Sequence, residues 1–214
     1  MLDLFSGRLG WSKPFLARGW EVIAVDLVRP PDTPPGCTFI KADIMNLRYS
    51  GDFASNNWFL IENGERRWIG DFDFICASSP CDEFSCWTMK MFQPNPKYPE
   101  LGIQLFNHTR AICETSGVPY VMENTRGAVQ FVGKPVGRCG PFYLWGNGVP
   151  PILPQGITKS KWKPKEGRPG NFAPEWNMGK VERKATMATI PPELANCVVD
   201  YAEALLRKES PCSP

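Results

Sequence analysis

Long apolar runs are missing from this sequence of 214 residues. A membrane-spanning helix needs about 18 consecutive apolar residues, and no run approaches that length. The start also lacks the pattern of a secretory signal peptide, because a strand-like segment follows Met1 almost directly. We therefore expect a protein without a membrane contact, located in the cytoplasm.

Histidine is nearly absent and closely paired cysteines are missing. His108 is the single histidine, and none of the eight cysteines forms a CxxC pair. These features disfavour a zinc site, which takes His and Cys ligands at short spacings, and we expect no metal. The cysteines are scattered through strand-like and helix-like segments, so we expect reduced thiols in an intracellular protein.

Net charge is small, at +2, but it is unevenly distributed. Residues 134–184 contain ten Lys and Arg and three Glu, a net charge of +7, which leaves −5 for the rest of the chain. Such a cluster suggests contact with a polyanion, although a solvated loop explains the same charges. No feature of the sequence points to an obligate protein partner.

Short apolar segments alternate with helical patterns along most of the chain. Besides the apolar start at Leu2 and Leu4, the strand-like segments are EVIAVD, TFIKAD, DFICAS and VPYVMEN. Strands that alternate with helices predict an α/β fold, with a mostly parallel sheet and helices on both of its faces. In such sheets, ligands bind at the carboxyl ends of the strands.

Three helices and one hairpin complete the predicted fold. Ser12 is placed to cap a helix that follows the first glycine-containing segment. Further helices are predicted at 100–116 and from Pro192 onward. Asn63-Gly64 favours a two-residue turn, which predicts a β-hairpin at about 57–70.

The same patterns divide the chain into three parts. Residues 1–130 form the predicted core, and within it 79–99 are predicted to be a loop. Residues 131–185 are rich in Gly, Pro, Lys and Trp and form a basic, loop-rich segment. Residues 186–208 contain a C-terminal helix that returns to the core.

The first cluster of candidate site residues is Asp3–Gly10, with the sequence DLFSGRLG. Glycines let backbone N–H groups approach a ligand, and a helix behind them adds a favourable dipole. Asp26 and Asp43 end the next two strands, where carboxylates can accept hydrogen bonds from ribose hydroxyls and an adenine amino group. Together they indicate an adenosine-containing cofactor, either a dinucleotide or S-adenosylmethionine. Without a ligand, a tight turn between a strand and a helix would also explain the glycines of this segment.

Two further clusters also follow predicted strands. Cys81 lies in Ser79-Pro80-Cys81, and a thiolate is the strongest side-chain nucleophile near neutral pH. Glu123 lies in Glu123-Asn124, where a carboxyl group in a cleft can act as an acid. Taken singly, a packing role explains Cys81 equally well, and an ordinary surface acid is the favoured explanation of Glu123.

These three clusters, in this order and spacing, resemble the DNA (cytosine-5) methyltransferase family, and its small phage- and prophage-type members in particular. The resemblance covers about residues 1–130, resumes at IPPELA before the last helix, and includes a Leu-Trp-Gly segment at 144–146. The matching segments are DLFSGRLGW, Asp26, Ala42-Asp43-Ile44, SSPCDEFS, the helix of 100–116 and YVMENTRG.

The resemblance implies a Rossmann-like S-adenosylmethionine-dependent methyltransferase fold that acts on double-stranded DNA. The Cys81 thiolate would attack C6 of a cytosine flipped out of the helix, and Glu123 would hydrogen-bond at N3. C5 would then take the methyl group, leaving S-adenosylhomocysteine. Pro80 would stiffen the Cys81 segment, and Ser85 and Asn124 would shape the cytosine pocket. The implied cofactor-binding residues are Asp3, Phe5, Ser6, Gly7, Gly10, Asp26, Asp43 and Ile44.

The sequence departs from the family in three places. Leu9 stands where the glycine loop usually has a further glycine, so its side chain must point away from a cofactor. The usual Gln-x-Arg-x-Arg segment is not recognisable, and Arg126 and Arg138 are the nearest basic candidates for it. No large target-recognition domain is present, so 131–185 would serve as a reduced one. We therefore expect relaxed or short-site specificity, with phosphate contacts from Lys161, Lys163 and Lys165.

Three other functions stay open on the sequence. An RNA or nucleotide cytosine methyltransferase would use the same site without a recognition domain. A catalytically inactive nucleic-acid-binding homologue would retain only the fold. A nicotinamide-dependent oxidoreductase would share the glycine loop, but it leaves Cys81 and Glu123 without a role.

Overall fold

The structure is a computed structural model that describes residues 1–49, 58–62, 64–88, 98–157 and 189–209. In these residues the strands are β1 (Leu2–Leu4), β2 (Val22–Asp26), β3 (Cys37–Lys41), β4 (Arg48–Tyr49), β5 (Trp58–Glu62), β6 (Glu65–Trp68), β7 (Ile75–Ala77), β8 (Tyr120–Asn124), β9 (Gly137–Cys139) and β10 (Phe142–Trp145). The helices are α1 (Ser12–Ala17), α2 (Asp82–Thr88), α3 (Glu100–Ser116), α4 (Val129–Val132) and α5 (Pro192–Glu209).

Seven of the strands form one sheet in the order β3-β2-β1-β7-β8-β10-β9. The five strands from β3 to β8 are parallel to one another. β10 is antiparallel to both of its neighbours, so it is the one reversed strand of this sheet. The predicted α/β fold with a mostly parallel sheet is therefore confirmed.

Helices cover both faces of this sheet, as the buried apolar strands require. Side chains alternate along β7, so Ile75 and Ala77 pack on one face and Cys76 on the other. The first face packs against α3 through residues such as Phe106, and the second against α1 and α5 through residues such as Phe15. Burial raises the pKa of the Cys76 thiol well above its ordinary value, which makes this cysteine a packing residue.

The predicted hairpin is present as β5 and β6. Gly64 has φ = 87°, which a glycine adopts readily, and Asn63 lies outside the described residues. β4, which the sequence did not predict, pairs with β5 and makes a separate three-stranded sheet. This small sheet is attached to α3 where the Trp58 indole donates to the Thr115 hydroxyl at 3.0 Å.

The helices predicted at 100–116 and from Pro192 are present as α3 and α5, whereas three other expectations are wrong. α2 begins at Asp82, inside the predicted loop at 79–99, and 89–97 lie outside the described residues. β9 and β10 lie inside the segment predicted to be loop-rich, and they extend the main sheet. Ser12 does not cap α1, because its hydroxyl donates to the buried carboxylate of Asp3 instead.

None of the helices in the described parts of the chain combines the length and the apolar character needed to cross a membrane.

Candidate active site

The carboxyl ends of β1, β2, β7 and β8 lie side by side at one edge of the main sheet. Leu4 is level with Val25 of β2 and with Ala77 of β7, and Ala77 is level with Met122 of β8. The segments that follow these strands contain the predicted site residues. The parallel register therefore brings the glycine loop, Cys81 and Glu123 to the same edge.

One cavity at this edge, of about 120 Å³, is shared by Cys81 and Glu123. Cys81 is half-buried, and Glu123 is buried with 7% of its surface exposed. The cavity is lined by Phe5, Ser6, Gly7, Arg8, Gly10, Trp11, Ser78, Ser79, Pro80, Cys81, Glu123, Thr189 and Ile190. A nucleophile, an acid and a glycine loop thus face one space.

A larger cavity, of about 470 Å³, lies at the opposite edge of the sheet. Met1, Glu21 and Asp73, which precede β1, β2 and β7, are among its lining residues. None of the predicted site residues lines it. Because ligands of parallel sheets bind at the carboxyl ends of the strands, the smaller cavity is the candidate active site.

The glycine loop is held in a tight conformation by its neighbours. The Ser6 N–H donates to the Val25 carbonyl at 3.1 Å, which ties the loop to β2. The Leu9 N–H donates to the Ser6 carbonyl at 2.7 Å and closes a turn. Phe5, Gly7 and Leu9 all have positive φ, of 59°, 48° and 61°. The backbone of the glycine loop is therefore sharply bent where it lines the cavity.

Asp26 and Asp43 lie at the ends of β2 and β3 beside this loop and do not line the cavity itself. One carboxylate oxygen of Asp26 accepts from the Gly7 N–H at 2.9 Å, and the other accepts from the Val28 N–H at 3.2 Å. Asp43 accepts from the Met45 N–H at 3.0 Å. Each carboxylate oxygen retains a lone pair for a ligand hydroxyl or amino group.

The same edge has an apolar surface that the sequence analysis missed. Leu27 and Val28 follow Asp26, and 58% and 72% of their surfaces are exposed. Exposed apolar side chains beside a carboxylate suit a flat ring that carries hydroxyl-bearing substituents. Ile44 is only 2% exposed and its side chain packs in the core, so only its backbone is placed to face a ligand at this edge.

Asp3 also differs from expectation, because it is fully buried behind the glycine loop. Its Oδ2 accepts from the Ser12 hydroxyl at 2.5 Å, and its Oδ1 has no hydrogen-bond partner. Burial raises the pKa of this carboxyl to about 7, and nearby Asp26 adds to the rise, whereas the Ser12 bond opposes it. Asp3 therefore supports the loop from behind, and its carboxylate does not line the cavity.

Cys81 lies at the start of α2, where the Ser85 N–H donates to its carbonyl at 2.8 Å. The buried Asn124 braces the segment before it, because its amide donates to the Ser79 carbonyl at 3.0 Å and to the Ser79 hydroxyl at 3.1 Å. Ser85 is half-buried on α2 and does not line the cavity, whereas Pro80 does. Asn124 thus links the end of β8 to the segment that carries the thiol.

Two further contacts across the cavity were not predicted. The Trp11 indole donates to the Ser78 hydroxyl at 2.9 Å and joins the glycine loop to the end of β7. A Cβ on Gly10 would lie 2.9 Å from the Ile190 nitrogen, so glycine permits this close approach. The IPPELA match, which runs from Ile190 into the start of α5, is the only sequence signal for this contact, because Gly10 and Ile190 lie far apart in the sequence.

The cavity wall also contains a polar atom without a partner. Ser6 is 5% exposed, and its hydroxyl makes no hydrogen bond within the protein. Thr125, directly after Asn124, also has a buried hydroxyl that makes no hydrogen bond within the protein. Buried polar groups are rarely left unsatisfied, so the Ser6 hydroxyl is available to a ligand.

The predicted basic residues are only partly described. Arg126 is exposed, directly after Thr125 at the end of β8. Arg138 does not line the cavity, since its Nε donates to the Gly140 carbonyl at 2.9 Å and its guanidinium lies over the Tyr143 ring. Lys161, Lys163 and Lys165 lie outside the described residues. Within the described ranges, His, Cys, Asp and Glu form no group that could hold a metal ion.

No protein-family model matches this chain, and no curated protein matches it. The chemical interpretation therefore depends on the residues and their geometry.

Proposed function

We propose that this protein is an S-adenosylmethionine-dependent methyltransferase that methylates C5 of cytosine in double-stranded DNA. The observation that carries the proposal is the cavity shared by Cys81, Glu123 and the glycine loop. A nicotinamide oxidoreductase needs no thiol and carboxyl facing each other there. A cytosine C5 methyltransferase needs both, because C5 is a poor nucleophile until a thiolate adds to C6.

The strand order adds support for the methyltransferase form of the Rossmann-like fold. A doubly wound dinucleotide-binding sheet has the order 3-2-1-4-5-6, with every strand parallel. Counting only the strands of the main sheet, the order here is 3-2-1-4-5-7-6, with the seventh strand reversed. The reversed strand therefore distinguishes this sheet from the dinucleotide-binding one, which favours the methyltransferase over the nicotinamide oxidoreductase.

The residues beside the cavity fit the proposed cofactor. The unpartnered Ser6 hydroxyl and the exposed backbone at Gly7 suit the polar amino-acid end of S-adenosylmethionine. Asp26 would accept from the ribose hydroxyls, and Asp43 from the adenine amino group. When bound, the cofactor supplies an electrophilic methyl group.

Cys81 and Glu123 would act on the flipped cytosine from the other side of the cavity. The Cys81 thiolate adds to C6, and the electron pair displaced from the C5–C6 bond makes C5 nucleophilic. Glu123 holds a proton at N3 and so offsets the charge that develops on the ring. After methylation, loss of the C5 proton and release of the Cys81 thiolate restore the aromatic ring.

A methyl-transfer assay tests the proposal. The purified chain is incubated with S-adenosylmethionine carrying a labelled methyl group and with duplex DNA, RNA or dCMP in separate reactions. We expect label in duplex DNA at C5 of cytosine, and none with Cys81→Ser, which should still bind the cofactor. Label in RNA or dCMP alone would move the proposal to that substrate.

Covalent trapping separates a slow enzyme from an inactive homologue. DNA with 5-fluorocytosine cannot lose its C5 substituent, so an active Cys81 stays attached after methyl transfer. We expect a stable protein–DNA adduct whose tryptic map places the link at Cys81. Absence of an adduct, together with intact DNA binding, would identify a nucleic-acid-binding protein without turnover.

A further inference from the structure

The position of α2 determines where the Cys81 sulfur lies. The Cys81 carbonyl accepts the first hydrogen bond of this helix, from the Ser85 N–H at 2.8 Å. The backbone of Cys81 is therefore part of the first turn of α2. A shift or rotation of α2 moves the thiol relative to Glu123, which is anchored in β8.

Two glycines allow other elements to pack closely against α2. Phe84, at the centre of the helix, is fully buried. A Cβ on Gly127 would overlap the Phe84 carbonyl oxygen, and one on Gly102 would lie 3.1 Å from the Phe84 ring. α2 is thus held between the turn after β8 and the first turn of α3.

Glu83 adds a polar contact to this arrangement. Its Oε2 accepts from the Gly102 N–H at 2.7 Å. Gly102 lies in the first turn of α3, where backbone N–H groups have no acceptor within their own helix. Pro99, the residue before α3, makes no side-chain cap bond. Glu83 therefore caps α3 from a different helix, and its charge strengthens the bond.

We propose that Glu83 is a positioning residue for Cys81: by capping α3 from α2, it fixes the helix that begins at the thiol. The inference deepens the proposed function and depends on it for its catalytic consequence. Glu83 does not line the cavity, and its Oε2 is bonded to the first turn of α3, so we assign it a positioning role and not a contact with substrate. Its effect on the reaction is carried through the backbone of α2.

Four variants test this role. Glu83→Ala removes the cap. Glu83→Gln retains an acceptor oxygen at the same distance from the Gly102 N–H. Glu83→Asp retains the charge, but its side chain is one methylene shorter and moves the acceptor away from that N–H. Glu100→Gln is the matched control, because Glu100 lies exposed in the same first turn of α3 and its carboxylate accepts from the Gln104 side chain of its own helix at 3.5 Å. It removes the same charge from the same helix end.

The main measurement is the rate of adduct formation with 5-fluorocytosine DNA, alongside cofactor affinity by calorimetry. We expect Glu83→Ala and Glu83→Asp to slow adduct formation by about 10- to 100-fold, the usual effect of a small displacement of a reacting group. Glu83→Gln should recover most of the rate, and Glu100→Gln should retain all of it. Cofactor affinity should stay within about twofold in every variant, because the glycine loop is not displaced.

Three outcomes would overturn the inference. One is an unchanged rate in both Glu83→Ala and Glu83→Asp. Another is an equal loss in Glu100→Gln, which would assign the effect to charge at α3. The third is a parallel loss of cofactor affinity, which would indicate general loosening. If Glu83→Ala does not fold, Glu83→Asp and Glu83→Gln still decide the matter.

A second measurement does not depend on catalysis. Alkylation by iodoacetamide reports the reactivity of Cys81 when the tryptic peptide of residues 68–90 is fragmented, which separates Cys81 from Cys76 and Cys86 in the same peptide. We expect its rate to change by about threefold or more in Glu83→Ala, to return in Glu83→Gln, and to be unaffected by Glu100→Gln. If the wild-type chain forms no DNA adduct but shows this pattern, the proposed function fails while Glu83 keeps its positioning role. An alkylation rate that is the same in all variants would refute that role.

Discussion

Asp3 should make folding stability depend on pH in the direction opposite to that of most carboxyl groups. Burial raises its pKa from the ordinary value of 3.8 to about 7. Between these two values the folded chain keeps the proton while the unfolded chain loses it. The stability that protonated Asp3 contributes is therefore fully present below about pH 3.8 and is lost as the pH rises through about 7.

The size of the effect follows from the two pKa values. Each tenfold difference in proton affinity is worth about 1.4 kcal/mol, so the whole effect is of the order of 4 kcal/mol. About 2.5 kcal/mol of it falls between pH 5 and pH 8. Among the described residues, the titratable groups that interact with Asp3 are Asp26, Cys37 and Cys76, and none of these three is a cation that would reduce the cost.

Urea denaturation at pH 5 and pH 8 measures the effect in wild type and in Asp3→Asn. The asparagine keeps the shape of the side chain and does not titrate, so the fall in unfolding free energy should be about 2.5 kcal/mol smaller in the variant. Asp71→Asn is the control, because Asp71 is exposed, and it should behave as wild type. If Asp3→Asn shows the full wild-type fall, other groups cause it and the reasoning about Asp3 is refuted.

Four further substitutions have expected outcomes. Glu123→Gln should lower the methyl-transfer rate by about 10² while cofactor affinity, measured by calorimetry, stays constant; an unchanged rate would exclude an acid role. Asp26→Ala should weaken cofactor affinity and free the Gly7 N–H, and equal affinity would place the cofactor elsewhere. Gly127→Ala should cost about 2 kcal/mol in urea denaturation, because its Cβ overlaps α2. Gly19→Ala, with φ = 82° and open space, should cost only about 1 kcal/mol; the reverse order would contradict the packing of α2.

The parallel part of the fold and the location of the site could be predicted because both depend on short patterns. An apolar run such as that of β8 indicates a strand buried on both faces. A polar residue at its end, such as Glu123, must then lie at the carboxyl edge of the sheet. The same reasoning places Asp26 and Cys81 at that edge, without any knowledge of long-range contacts.

The elements that were missed depend on contacts between distant residues. α2 has seven residues, fewer than two full turns, and its position comes from Gly102 and Gly127. β9 has three residues, too few to show an alternating pattern, and it pairs only because β10 reverses beside β8. Ser12 has the local pattern of a cap, but the buried Asp3 carboxylate takes its hydroxyl. In each case a tertiary contact, and not the local propensity of the sequence, determines the structure.

Leu9 shows how a departure from the family pattern can leave the site intact. At φ = 61° it has the backbone conformation that the expected glycine would adopt, at a cost of about 1–2 kcal/mol for a residue with a Cβ. Its side chain is fully buried and does not line the cavity, and burying a leucine contributes about 2–3 kcal/mol. The burial therefore offsets the strain. A glycine there would lose that burial and free the backbone, so the leucine makes the loop more rigid while it leaves room for a cofactor.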